Sequence, residues 1–389
     1  MINKKLALVI FFVVFLVTLY LSYSFFSANA DGSALLSQIG YKPPVSNGNK
    51  TPSANESEPK TEACPLNGKL YGKSQMQKWE QRRPLGVMIE NSTEARPQSG
   101  LNSADIIYEA VAEGGITRFL AIFYCNDASY VGPVRSARIY FVKLLQGYGD
   151  YPLYAHVGGA NTDGPADALG EIDDIGWGLY NDLNQFAVPF PNFWRDYERL
   201  PNRVTEHTVY TNTTKLWDFA KTKRNLTNVD KKGVAWDQQF KPWTFKDDAK
   251  QGERGSADKI GFGFWDQFGA DYGVTWNYDK VTNSYKRVNG GQPHLDKNTG
   301  KQIEAKNVIV IFANESPAND GYPGGHILYK LTGSGEGIVF ENGKATKVTW
   351  NKKDEESQLT FFDQNGKGID LVRGLTWVEI LPIGNEVTY

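Results

Sequence analysis

The sequence predicts a mixed α/β N-terminal domain followed by a smaller, mainly antiparallel β domain. Three observations carry that expectation. Between residues 64 and 226, short strand-like runs such as Val87–Glu90 and Leu153–Val157 alternate with a segment of helical spacing. After residue 255 the runs from Val308–Ala313 to Trp377–Leu381 are strand-like, with Asn342-Gly343 and Asn365-Gly366 placed between runs as hairpin turns. The 389 residues suffice for two ordinary domains, and a composition 40% hydrophobic and 13% aromatic can fill their cores.

Lys4 and Lys5 precede an uncharged run from Leu6 to Phe26, which as a helix would span roughly 30 Å, the thickness of a bilayer core. Residues 1–30 are therefore expected to be a transmembrane anchor or signal segment. As an anchor, residues 6–26 cross the membrane once, with the N-terminus cytoplasmic and the bulk of the chain extracytoplasmic. Ala28-Asn29-Ala30 fits a signal-peptidase site, so secretion after cleavage near Ala30 is the alternative. Residues 31–63 are expected to be a flexible spacer, because SNGNKTPSANESEPKTEA (46–63) has only alanines to bury. Neither Cys64 nor Cys125 stands just after the apolar run, where a lipid-bearing cysteine is needed. In an oxidising exterior the two can pair or remain separate thiols.

Within the first domain, residues 64–226, Ile106–Glu113 and Ile116–Tyr124 are expected to form a hairpin around Gly114-Gly115, a pair suited to positive φ. Ser136 is placed to cap a helix that buries Ile139, Phe141, Val142, Leu144 and Leu145 and ends at Gly147. Leu153–Val157 ends in Gly158-Gly159, and a short helix is expected to begin near Pro165. From Trp177 to Tyr197 the aromatic residues follow neither period, which predicts an ordered loop packed on the domain. Residues 227–254 read as a connecting region, and residues 255–389 as the β-rich second domain.

Several function classes lack support. A net charge of −2 from 42 basic and 44 acidic residues gives no field for nucleic acid. His156, His207, His294 and His326 stand in no metal-ligating spacing, so no metal or other cofactor is expected. Gly333–Gly337 (GSGEG) lacks a lysine and a following helix, and reads as a β-turn rather than a phosphate loop. No catalytic residue is assigned.

RPLGVMIENSTEARPQSGLNSADIIYEAVAEGGITRFLAIFY (Arg83–Tyr124), with VGPVRSAR (Val131–Arg138), resembles the N-terminal domain of the YerB-like family of bacterial extracytoplasmic lipoproteins. LTGSGEGIVFENGKATKVTWNK (Leu331–Lys352), with LVRGLTWVEILP (Leu371–Pro382), is similar to that family's C-terminal domain. The resemblance implies architecture and an envelope location, and no reaction. It departs twice: an apolar segment replaces the lipid-bearing cysteine, and the family's Pro-His-Asn appears as Glu206-His207-Thr208.

A polar constellation lies inside the first matched block. A two-residue hairpin would pair Glu113 with Ile116 and Val111 with Arg118, laying Glu109 and Glu113 diagonal to Arg118 on one face. Arg135 and Arg138 flank Ser136 at the expected helix start, where free N–H groups and the dipole favour an anion. Arg118, Arg135, Ser136, Arg138 and His156 are therefore the anion-binding candidates, with Glu109, Glu113, Asp163 and His207 behind them. Two function classes follow. One is a binding module for a cell-wall polymer or envelope protein; the other is an envelope enzyme acting on an anionic glycopolymer or lipid-linked glycan.

Overall fold

Leu85–Glu90, Ile106–Glu113 and Ile116–Phe123 are buried along nearly their whole length, which requires that both faces of the sheet they form be covered. The computed structural model describes residues 16–18 and 58–389. Its first five principal strands are β1 (Leu85–Glu90), β2 (Ile106–Glu113), β3 (Ile116–Phe123), β4 (Leu153–His156) and β5 (Asp182–Asn184). A separate small sheet follows, made of β6 (Lys259–Phe262), β7 (Val274–Asp279), β8 (Ser284–Asn289), β9 (Gln292–Pro293) and β10 (Glu304–Ala305). Then come β11 (Asn307–Pro317), β12 (Ile327–Lys330), β13 (Gly333–Glu341), β14 (Lys344–Lys352), β15 (Thr360–Phe362) and β16 (Thr376–Pro382).

The large sheet has eleven strands in the order β15-β14-β13-β11-β16-β2-β3-β1-β4-β5, with β12 also paired to β11. Strand β16 is its seam. It runs parallel to β11 on one side, Asn307 opposite Thr376, and parallel to β2 on the other, Thr376 opposite Ile106. Strands from both ends of the chain thus share one hydrogen-bonded sheet. The connecting region, residues 227–254, has little regular structure, yet Trp236 and Trp243 are buried in the core, and Phe245–Lys246 pairs with Leu371–Val372.

Alternate residues of the sheet supply two cores. Met88, Leu120 and Val378 share one with helix α1 (Ile139–Gln146). Val87, Phe119 and Trp377 share the other with Trp276 of the small sheet. Helix α1 begins after Arg138 with no side-chain cap, so Ser136 does not take the capping role expected of it; Gly147 ends the helix as expected. Helix α2 (Ala168–Asp174) starts later than Pro165, where the Asp167 side chain accepts from the Gly170 N–H. In the aromatic stretch Trp177, Phe193 and Trp194 are buried, while Phe186, Phe190 and Tyr197 are exposed.

Cys64 and Cys125 are joined by a disulfide across a separation of 61 residues, a closure worth about 4 kcal/mol in the chain-entropy model. Asp105 beside it is wholly buried, and burial pushes its carboxyl up to about 6 despite N–H bonds from Cys125 and Tyr124. The apolar run over 6–26, the Ala28–Ala30 pattern and the spacer up to residue 57 lie outside the described residues, apart from 16–18. Among the described residues, no helix is long and apolar enough to cross a membrane.

Candidate functional site

Strand β1 ends in Glu90, and the loop 90–99 that leaves it contacts polar groups on both faces of the sheet. On the α1 face, Glu90 sits opposite Arg118 of β3. Its carboxylate accepts from Arg135 Nε at 2.5 Å and lies 3.7 Å from Arg118. Glu113 accepts from Arg118 Nη2 at 3.2 Å and from Arg138 Nε at 2.8 Å, with Arg138 Nη2 on the same oxygen. Arg118 also donates to the Ser136 carbonyl. Three of the expected residues therefore converge, with Ser136 contributing its backbone. Burial alone would raise the Glu113 carboxyl, but Arg118 and Arg138 outweigh it and hold the group at about 2. Glu90 is likewise held below the usual range by Arg118 and Arg135 against its burial. Three guanidinium groups facing two carboxylates leave one positive charge. Arg135 is the open member: its side chain is 24% exposed, against 2% for Arg118 and 6% for Arg138.

The expected pairing of the hairpin is corrected by a bulge. Glu113 does oppose Ile116, but the register shifts between Val111 and Glu113, so Ala110 opposes Arg118 and Phe119 opposes Glu109. Glu113 stays with Arg118, whereas Glu109 points through the other face. There it meets Arg287 of β8, with Glu379 of β16 at the same level of the neighbouring strand. All three side chains are fully buried among Phe119, Trp276 and Trp377. Burial, reinforced by Glu109, pushes the Glu379 carboxyl far above its ordinary value. His294 accepts from Arg287 at Nδ1 and donates from Nε2 to Gln98; burial and Arg287 hold it well below its ordinary pKa and hence neutral.

His156 closes β4 beside this edge. Its Nδ1 meets the Gly158 carbonyl at 2.7 Å and its Nε2 meets Asp182 at 2.5 Å, so both ring nitrogens are engaged. The Val157 N–H donates to the Arg135 carbonyl, which fixes that arginine against the strand end. Gly158 has φ +57°, and a Cβ there would lie 3.3 Å from the Phe186 ring, so the exposed aromatic lies over the same turn. His207 lies 3.4 Å from Ser92 Oγ and 3.8 Å from Glu94, and burial lowers its pKa. Asp163 is exposed, makes no hydrogen bond to the arginines among the described residues, and yields the helix cap to Asp167.

Residues 70–227 match the family model described as the N-terminal domain of a protein of unknown function (DUF3048), and residues 266–378 match its C-terminal domain. The chain belongs to the DUF3048, YerB-like family. It is 32% identical over 319 residues to "Putative lipoprotein YerB" of Bacillus subtilis (strain 168), covering 82% of this chain and 86% of that protein. The crystal structure of the YerB protein from Bacillus subtilis aligns with a TM-score of 0.67 at 28% identity, over 85% of this chain and 100% of that one.

The single-pass membrane location expected from residues 6–26 is corrected by these findings. No described helix can span a bilayer, and the YerB relative carries a lipoprotein name. Sequence reasoning also missed Glu90, Ser92, Asp182, Arg287 and Glu379. Glu90-Asn91-Ser92 did carry a signal, as a polar run at the end of an apolar strand. The others become neighbours only when distant strands pair.

Proposed function

We propose that this family member acts as a binding module for an anionic cell-wall polymer, at the edge where β1 and β4 end. One observation carries the reading: Phe186, 76% exposed, lies over Gly158, whose neighbour Val157 is hydrogen-bonded to the backbone of Arg135, the accessible member of a cluster of three guanidinium groups and two carboxylates. An aromatic face packs against a sugar ring, and a guanidinium edge fits phosphate or carboxylate oxygens. The disulfide suits a folded part that works in an oxidising compartment. The paired state of Arg118 and Arg138 fits a positioning role, since Glu113 already occupies both.

Retention on immobilised poly(glycerol phosphate), compared with a neutral glucan, tests the reading. Phe186→Ala and Arg135→Lys should each weaken retention by about tenfold, and added salt should weaken it further. Equal retention of both variants, or equal retention on the neutral polymer, would remove this reading.

One contact favours a catalytic alternative. Ser92 Oγ lies 3.4 Å from His207 Nε2, and a neutral histidine is suited to take a hydroxyl proton. A serine-directed fluorophosphonate should label Ser92 if the pair activates it; absence of labelling leaves the binding reading alone.

A further inference from the structure

Strands β11 and β13 part before they end. Ile311 opposite Gly337 is the last pair between them, and Asn314 next opposes Lys330 of β12. Residues 331–336 thus stand against only Phe312 and Ala313, so the surplus is thrown out of line while 333–336 stay paired with β14. The fork holds a cavity of about 710 Å³. Trp350 of β14 reaches across it. Its indole lies against Gly335, where a Cβ would come within 2.6 Å of Nε1, and Nε1 donates to the Phe312 carbonyl at 3.0 Å. The indole thereby takes the acceptor that the facing edge of β13 would otherwise have used.

The hairpin decides which groups of β13 face the fork. Asn342 and Gly343 form a two-residue turn with φ +52° and +68°, so Glu341 and Lys344 are a hydrogen-bonded pair. The register runs unbroken to Gly333 opposite Lys352, so odd-numbered residues bond to β14 and even-numbered ones turn N–H and C=O the other way. Ile338 and Phe340 meet Val310 and Val308 there. Ser334 and Glu336 meet no strand among the described residues, and both are exposed. Two N–H and two C=O groups, in sets roughly 7 Å apart, therefore line the opening. Donors and acceptors alternating at that spacing are matched by another extended backbone. Lys330 and Glu336 stand on the cavity wall, exposed and without an ion pair among the described residues, and Ile383 on the same wall is 68% exposed. We infer that the fork binds an extended peptide segment as an added strand, antiparallel to β13 as β11 and β14 are. A basic residue of the peptide lies toward Glu336, an acidic one toward Lys330, and an apolar side chain against Ile383.

Fluorescence anisotropy of labelled acetyl-Lys-Thr-Val-Thr-Glu-amide, titrated with the full-length chain, tests the assignment. Saturable binding is expected. N-methylation of the valine, or else of both threonines, should weaken it at least about tenfold, since one of these sets supplies the paired N–H groups. Ser334→Pro removes an inward N–H that the sheet does not use, so it should abolish binding with little change in melting temperature. Lys330→Glu should weaken the same peptide and favour acetyl-Lys-Thr-Val-Thr-Lys-amide; it decides the matter if Ser334→Pro does not fold. Absence of saturation up to about 1 mM, full binding by both N-methylated forms, or binding unaltered in Ser334→Pro or in Lys330→Glu would overturn the assignment. So would self-association of the chain that Ser334→Pro abolishes, which would give the edge to a second copy. None of these results bears on polymer retention at Arg135.

Discussion

On the α1 face of the sheet three guanidinium groups share two carboxylates, while on the opposite face one guanidinium meets two. The first cluster reaches the surface through Arg135, and each carboxyl in it is driven toward its ionised form. The second is dry. Arg287, Glu109 and Glu379 are fully enclosed, and the surplus carboxyl at Glu379 is driven toward its protonated form. Burial acts on both faces; the ratio of cations to carboxylates decides the outcome. A cluster with spare positive charge and an opening can meet a ligand, whereas a closed one can only hold strands together.

The largest expected effect follows from the closed cluster. Arg287→Met should cost ~3–5 kcal/mol in urea unfolding, because Glu109 would remain buried without its cation. A cost under about 1 kcal/mol would show that the two faces differ less than their geometry indicates.

Opposite pH responses sharpen the same contrast. Glu113 is held at about 2, below its ordinary 4.5, so between these values the unfolded chain binds more protons than the folded one. Stability from Glu113 is present above about 4.5 and is lost as pH falls toward about 2. Glu379 is raised, so the folded chain keeps a proton that the unfolded chain has released, and its contribution is lost as pH rises through the folded value. Thermal melts across pH should show Glu113→Gln flattening the acid limb and Glu379→Gln flattening the alkaline one. A shared limb for both variants would break the comparison.

Smaller still is the effect expected at the open arginine. Arg135→Lys should change stability by no more than about 1 kcal/mol, since the side chain is partly solvated, while polymer retention falls. A loss as large as that of Arg287→Met would make Arg135 a structural residue. At the lower end, limited proteolysis should not separate the two family-model regions. Strand β16 lies between β11 and β2, and Trp236 and Trp243 anchor the connecting region, so early cuts within 227–254 would contradict the shared sheet.

Local chemistry was legible in the sequence where neighbours along the chain decide the outcome. Gly114-Gly115 marked the β2–β3 turn and Gly147 the end of α1, because backbone conformation at such points depends on one or two residues. The grouping of Arg118, Arg135 and Arg138 was readable for a similar reason: all three lie within one hairpin and the segment that follows it. The bulge that sends Glu109 to the opposite face was not legible, since these strands are buried on both faces and their apolar run has no alternation to reveal a one-residue shift. Nor could sequence place Arg287 beside Glu109, which lies 178 positions earlier. That contact exists because β16, from the far end of the chain, pairs with β2 and the small sheet packs over the seam. Pattern reports which face of a strand is apolar; only tertiary pairing decides which strand lies beside it, and with it which buried charges meet.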